Sequence, residues 1–132
     1  MNNFFFSFYF LIKKINFFRI IQCLNSTNEK EINTTLYTIK KISKFDFFIN
    51  FSSNILNIFT NLIFNLNTSI KQKTIILKII KKMKQNDETI NISIENCKKL
   101  LNIYKNSQIT DLLIETLTIL SKSSNNGFFY FI

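Results

Sequence analysis

The feature that most constrains this chain is its lack of turn-forming residues, since its 132 residues include one glycine and no proline. A β-sheet protein needs a turn every few residues, and glycine and proline supply most tight turns. The apolar content of 46% is ordinary for a folded domain and too high for a disordered one. At this length, these observations predict one all-α domain over residues 1–132.

Composition also excludes several kinds of site. The chain has no histidine, so it can form no Ser-His-Asp triad, no His-ligated zinc site and no His general base. Its single glycine rules out a glycine-rich phosphate loop. The eight acidic residues are scattered and stand mostly at expected helix starts, where capping explains them. We therefore predict a protein that is not an enzyme and has no catalytic residues, metal or cofactor.

Two observations concern the setting of the chain. Ile, Asn, Lys and Phe, the residues of A/T-only codons, account for 75 of its 132 residues, which indicates an AT-rich genome. Cys23 and Cys97 stand singly in apolar stretches and form no C-x-x-C pair. This predicts buried, reduced thiols in an intracellular protein, cytoplasmic or nuclear.

Polar clusters and apolar periodicity predict six helices joined by short links, hence antiparallel hairpins. The predicted hairpins cover roughly residues 4–44, 50–85 and 88–122, followed by an apolar tail over residues 123–132. The predicted helix starts are Ser26 with Glu29 in a capping box, Ser52 or Ser53, Thr68 or Ser69, Asp87 and Ser107.

The hairpins also resemble one another in sequence. The block Thr35–Ile42 aligns with Ile76–Met83, which begins 41 residues later, and that block aligns with Leu113–Leu120, which begins a further 37 residues on. These spacings are close to the roughly 40-residue period of helical-hairpin solenoids. An alternative explanation of this similarity is that any helix encoded by AT-rich DNA contains Ile and Lys at similar spacing. The repeat predicts one core shared by Leu36, Ile39, Leu77, Ile80, Leu113 and Leu117.

On these residues the chain resembles armadillo and HEAT repeat proteins. Residues 23–29 followed by 36–43 look like the end of one armadillo helix, the link and the groove-lining helix. A second copy, from residues 103–107 through to residues 120–121, looks similar. The resemblance covers about residues 20–122 and implies a non-enzymatic α-solenoid scaffold that binds other proteins. Tyr37 stands where the family often has Trp, and Lys41 where it often has the Asn that clamps a peptide backbone.

The later copies depart from that pattern. They have Lys78 and Glu115 at the Trp position, and Lys82 and Ile119 at the Asn position. No Trp row or Asn ladder is therefore present, and the resemblance does not imply recognition of a nuclear-localisation peptide.

The net charge of +9 is concentrated in one segment. Six lysines and no acid lie between Ile70 and Asn86, and on a helical wheel most of them share one narrow face opposite a wide apolar arc. We interpret this face as a strip for acidic protein segments or phosphates, the alternative being a solvated face from a Lys-rich codon pool. The predicted partner-binding residues are Tyr37, Lys41, Lys71, Lys78, Lys81 and Lys82. Lys41, Lys78 and Lys82 should share one accessible surface.

Three alternatives remain open from the sequence. A small basic helical domain on nucleic acid is disfavoured because arginine, the bidentate base reader, occurs only once. A peripheral membrane protein would be anchored by the apolar run Phe4–Ile12, with Lys13, Lys14 and Arg19 at an anionic surface. The Phe-rich ends, Phe4–Ile12 and Phe128–Ile132, also suggest a fragment of a longer solenoid with flanking repeats, an imperfect gene model, or ends that fold back or self-associate.

Overall fold

The computed structural model of the chain describes residues 17–124, and these residues contain helices and turns but no strand. The prediction of an all-α fold is confirmed for this part of the chain. The predictions made for Phe4–Ile12 and Phe128–Ile132 lie outside the described residues. The helices are α1 (residues 17–24), α2 (Glu29–Ile42), α3 (Ser52–Phe64), α4 (Ile70–Lys82), α5 (Asp87–Ile103) and α6 (Thr110–Ser123), with a 3₁₀ helix at Asp46–Phe51.

The helices form two layers. Among the described elements, α4 packs against α2 on one side and α6 on the other, while α3 packs against α5. The pairs α3–α4 and α5–α6 are also in contact, each joined by a short link. Helices α2, α4 and α6 therefore lie in one layer, and α3 and α5 lie in the other. This is the arrangement of a short helical solenoid.

The polar links stop and start helices without glycine or proline. The side chain of Ser69 accepts a hydrogen bond from the Gln72 N–H, as the sequence predicts for the start of α4. In the link between α5 and α6, Asn106 takes a left-handed backbone conformation, φ 58°. Asparagine tolerates this region better than most residues, so it serves here where another chain would use glycine.

Several predicted caps are wrong. The N-cap of α2 is Asn28, whose Oδ1 accepts from the N–H groups of two residues of the first turn. Ser26 lies too far back for this role, and its hydroxyl instead accepts from the Asn28 N–H and donates to Glu31. Asn86 caps α5 in front of Asp87, and α3 and α6 begin with no side-chain cap. In α3 the preceding 3₁₀ helix runs directly into the α-helix, so no separate cap is required.

One hydrophobic core joins all the described elements. The predicted shared core is confirmed for five residues, each buried at no more than 1% exposure: Leu36, Ile39, Leu77, Ile80 and Leu113. Leu117 is only partly buried and packs on the edge of this core. The 3₁₀ helix adds Phe48 and Phe51, and the Phe51 ring lies 4.1 Å from that of Phe17 in α1.

One helical run within residues 17–124, Asp46–Phe64, is long and apolar enough by length and composition to cross a membrane. Part of it lies in the core of the stack, since Phe48, Ile55 and Phe59 are fully buried, but only 39% of its most apolar window is buried. Packing against α4 and α5 thus explains the buried part of this run.

Candidate protein-binding surface

The lysines of α4 divide into an outer and an inner set. Lys71, Lys78 and Lys82 are exposed on one stripe of the helix. The opposite side carries the buried residues Ile76 and Ile80. A 3.6-residue period places residues 71, 78 and 82 within one narrow sector, so the three ammonium groups face solvent together.

Helices α2 and α4 lie side by side and run in the same direction. Near their N-terminal ends, Gln72 Nε2 donates to Asn33 Oδ1 at 2.9 Å. Just beyond their C-terminal ends, the backbone N–H of Lys84 donates to the Ser43 carbonyl at 2.8 Å. One hydrogen bond joins the N-terminal ends of the two helices and one joins their C-terminal ends, so α2 and α4 are parallel.

The exposed stripe of α2 therefore borders that of α4. It carries Lys41, which is exposed, and Tyr37, whose exposure is 47%. Leu36 and Ile39 on the same helix face the core with no exposure, so the two stripes point to the same side of the molecule. We call Lys41, Lys71, Lys78 and Lys82 the basic strip.

Carboxylates do not neutralise the basic strip within residues 17–124. The ion pairs of this region are Lys81 with Glu115, Lys84 with Asp46 and Lys98 with Glu95. None of them includes a lysine of the basic strip. Four like charges on two adjacent helices give a positive local potential, which attracts anions over roughly a Debye length of about 8 Å at physiological salt.

Two lysines of the α4 cluster have structural roles instead. The Lys81 side chain is only 12% exposed, and its Nζ lies 3.1 Å from Glu115 Oε1 of α6. Lys73 is 2% exposed, and its Nζ donates to the Tyr104 hydroxyl and lies 5.0 Å from the centre of that ring. Lys81 thus connects α4 to α6, and Lys73 connects α4 to the end of α5. The signal for Lys73 was in the sequence, because it lies four residues before the core residue Leu77 and shares its stripe.

The groove beside the N-terminal ends of α2 and α4 does not bring several reactive groups together. This groove of about 760 Å³ lies between the α1–α2 and α3–α4 links, and Glu29 is the one ionisable residue among its described lining residues. Within residues 17–124 no three His, Cys, Asp or Glu side chains are grouped as metal ligands. This groove presents amides and hydroxyls, which can hydrogen-bond a ligand but supply no strong base.

The two cysteines occupy different settings. Cys97 is a free thiol in the core, and burial raises its pKa to about 12. Cys23 is partly buried, and hydrogen bonding with the Glu31 carboxylate, followed by burial, raises its pKa. A raised pKa keeps a thiol protonated and weakly nucleophilic at neutral pH. Neither thiol is thus activated for catalysis.

Comparison with known proteins identifies the family. No curated protein and no solved structure matches the chain. The family model described as Integrator complex subunit 7, N-terminal, matches residues 17–127, which is most of the chain and includes all of the described helices. The chain therefore belongs to the family of the N-terminal region of Integrator complex subunit 7.

Proposed function

We propose that this chain is a non-enzymatic protein-interaction scaffold, a short solenoid of armadillo/HEAT type within a multiprotein complex. The family supports this proposal, since its description names a subunit of a complex. Protein partners and, for this complex, a nuclear location are parts of the same proposal. The layered packing of α2, α4 and α6 supports it as well, because stacked second helices leave an extended face for partners.

The basic strip is the proposed partner-binding surface, and its partner is an acidic protein segment. The observation that carries this proposal is the parallel pair of α2 and α4, which aligns four exposed lysines with no described carboxylate beside them. Tyr37 adds a half-exposed ring beside the lysines, at 47% exposure. Lys81 contributes less than a free lysine, because Glu115 already accepts from it.

Charge reversal with a matched control tests the strip. The test variant carries Lys41→Glu and Lys82→Glu, and the control carries Lys99→Glu and Lys105→Glu, which are exposed on α5 and on the following link. Both variants change the net charge from +9 to +5. They therefore have the same overall field and differ only in which surface is altered.

The binding probe is a fluorescent peptide of Glu and Ser. Its affinity for the chain 1–132 is measured by fluorescence anisotropy. We expect the strip variant to bind the peptide roughly tenfold more weakly, while the control changes roughly twofold or less. The strip variant should lose about 1–2 kcal/mol of unfolding free energy, because Lys41 and Lys82 stand in the last turns of their helices, where a cation favours the helix dipole. The control should lose about 0.5 kcal/mol or less. Circular dichroism spectra that match the unmodified chain show that both variants are folded in the binding assay. An equal loss of peptide affinity in both variants would show that the peptide is attracted by net charge alone. That result would refute the basic strip as the binding surface.

Nucleic acid and vesicles serve as competing probes. A single-stranded RNA or a phosphatidylserine vesicle that binds more tightly than the peptide, and loses that binding in the strip variant, would replace the acidic-segment proposal. The strip contains lysine but no arginine, so we expect only weak, strongly salt-dependent RNA binding.

A further inference from the structure

An apolar patch lies at the C-terminal ends of α2 and α4. The link after α2 exposes Phe45 at 47% and Ile49 at 41%, while the neighbouring Phe48 is fully buried. The ring of Phe47 stacks with that of Phe45, their centroids 6.2 Å apart, and meets the Phe51 ring edge-on at 6.3 Å. We call Phe45 and Phe47 the aromatic patch.

The core holds the aromatic patch in place. Phe51 is 8% exposed, so the row of rings from Phe45 through Phe47 to Phe51 runs from solvent into the core. The intervening residues form a 3₁₀ helix, which restricts their backbone further. A preformed apolar surface binds at a lower cost in conformational entropy than one that must be ordered on binding.

The aromatic patch adjoins one end of the basic strip. The Lys84 N–H donates to the carbonyl of Ser43, two residues before Phe45, and Lys84 Nζ lies 3.8 Å from Asp46 Oδ1. Lys44 Nζ lies 5.9 Å from the centre of the Phe45 ring. Lys41 and Lys82 are the last lysines of the strip on α2 and α4. Cations therefore rim the patch on the side of the strip.

The dimensions match a short extended peptide. From Lys71 to Lys82, α4 rises about 16 Å, at about 1.5 Å per residue. An extended segment covers that distance with about five residues, at about 3.3 Å each. A segment that pairs its carboxylates with the strip therefore reaches the aromatic patch with its next one or two residues.

We propose that the partner segment is an acidic stretch of about five residues with a large apolar side chain, aromatic or leucine, at one end, which packs on Phe45 and Phe47. This inference rests on the proposed function of the basic strip and specifies its partner. The Asp46 carboxylate lies in the same link, 93% exposed and 3.8 Å from Lys84 Nζ. The carboxylates of the segment should therefore pair with the basic strip, and its uncharged apolar end should lie over the patch beside Asp46.

The experiment compares two fluorescent peptides of about eight residues, one with an acidic stretch ending in Phe and one with Ser in place of that Phe. A second pair places the Phe or Ser at the other end, because the direction of binding is not assumed. The proteins are the chain 1–132, its Phe45→Ser variant and an Ile103→Ser control. Ile103 is 60% exposed and is the last residue of α5, whereas the patch lies in the link after α2.

For the unmodified chain we expect one Phe peptide to bind roughly tenfold more tightly than its Ser partner, about 1.4 kcal/mol. Phe45→Ser should abolish this preference and leave the affinity for the Ser peptide unchanged. Ile103→Ser should retain the preference, and Phe45→Leu should retain most of it. Circular dichroism spectra that match the unmodified chain exclude misfolding as the cause.

The outcomes separate the two proposals. If the Lys41→Glu, Lys82→Glu variant binds every peptide as tightly as the unmodified chain, the proposed strip function fails. If that variant weakens all peptides but Phe and Ser peptides bind equally, or the preference survives Phe45→Ser, this inference alone is overturned. It is also overturned if Phe45→Ser removes binding to phosphatidylserine vesicles and leaves peptide binding intact.

Discussion

The contact between Lys73 and Tyr104 provides the sharpest test of the packing. Lys73 is 2% exposed, and its ammonium donates to the Tyr104 hydroxyl at 2.5 Å, with the ring centre 5.0 Å away. Replacing Tyr104 by Phe removes the hydroxyl and keeps the ring. The variant thus deletes the hydrogen bond and leaves the rest of the side chain in place.

The expected cost follows from the charge. A hydrogen bond to a charged group contributes about 1.5–3 kcal/mol, so Tyr104→Phe should lower the free energy of unfolding by about 2 kcal/mol. Lys73→Met removes the buried charge and keeps most of the side-chain volume. Because replacing buried charges by apolar groups is often neutral or stabilising by about 1–4 kcal/mol, this variant should be at least as stable as the unmodified chain.

A double-mutant cycle measured by urea unfolding and far-UV circular dichroism tests the assignment. In the Lys73→Met background the Tyr104 hydroxyl has no ammonium to accept from, so Tyr104→Phe should cost less than about 1 kcal/mol. Unchanged m-values would show that both states keep their compactness. An equal cost of Tyr104→Phe in both backgrounds would refute the pairing.

Three further outcomes are expected. Leu77→Ala should destabilise the chain by about 2–5 kcal/mol in urea unfolding, since the side chain is fully buried and leaves a cavity; a loss below about 1 kcal/mol would contradict its place in the core. Ser69→Ala should cost about 1 kcal/mol in the same assay, because the N–H of Gln72 loses its acceptor, whereas Ser69→Asp should retain the cap. At about pH 8, a thiol reagent should label Cys23 in the native chain but not Cys97, whose pKa of about 12 leaves roughly one thiolate in ten thousand, and should label both in urea. Rapid labelling of both cysteines without denaturant would refute the burial of Cys97.

Local patterns in the sequence were sufficient for the helices and most of the core. The period of Leu36 and Ile39, repeated at Leu77 and Ile80, predicts their burial because a helix has one stripe that faces its partner. The N-cap residues were harder to predict from the sequence, because Ser26 and Asn28 both belong to residue types that favour the N-cap position. The side chain that caps is the one whose carboxamide or hydroxyl reaches the free N–H groups of the first turn. The sequence also contained no clear signal for the 3₁₀ helix at Asp46–Phe51, because a single short turn has no measurable periodicity.

The candidate surface depended more on tertiary structure. The sequence placed Lys71, Lys78 and Lys82 on one face of α4 and predicted that Lys41 shares their surface. The structure adds the physical basis, which is the parallel packing of α2 beside α4. It also removes Lys73 and Lys81 from the free surface, since α6 and the link before it cover that flank of α4. The use of the remaining lysines by a partner stays a prediction.

The sequence by itself determined the all-α class, the hairpin order and the stripe of each helix that is apolar, because these depend on local turn chemistry and a fixed 3.6-residue period. Only the tertiary structure decided which flanks of a helix are covered and which residues from distant links meet. In a two-layer stack, a middle helix such as α4 is covered on three sides, and the neighbours on two of them come from other hairpins. Tertiary structure also brings Phe45 close to the end of α4. The two links that meet there are joined by a backbone hydrogen bond from the Lys84 N–H to the Ser43 carbonyl, residues that are 41 positions apart in the sequence.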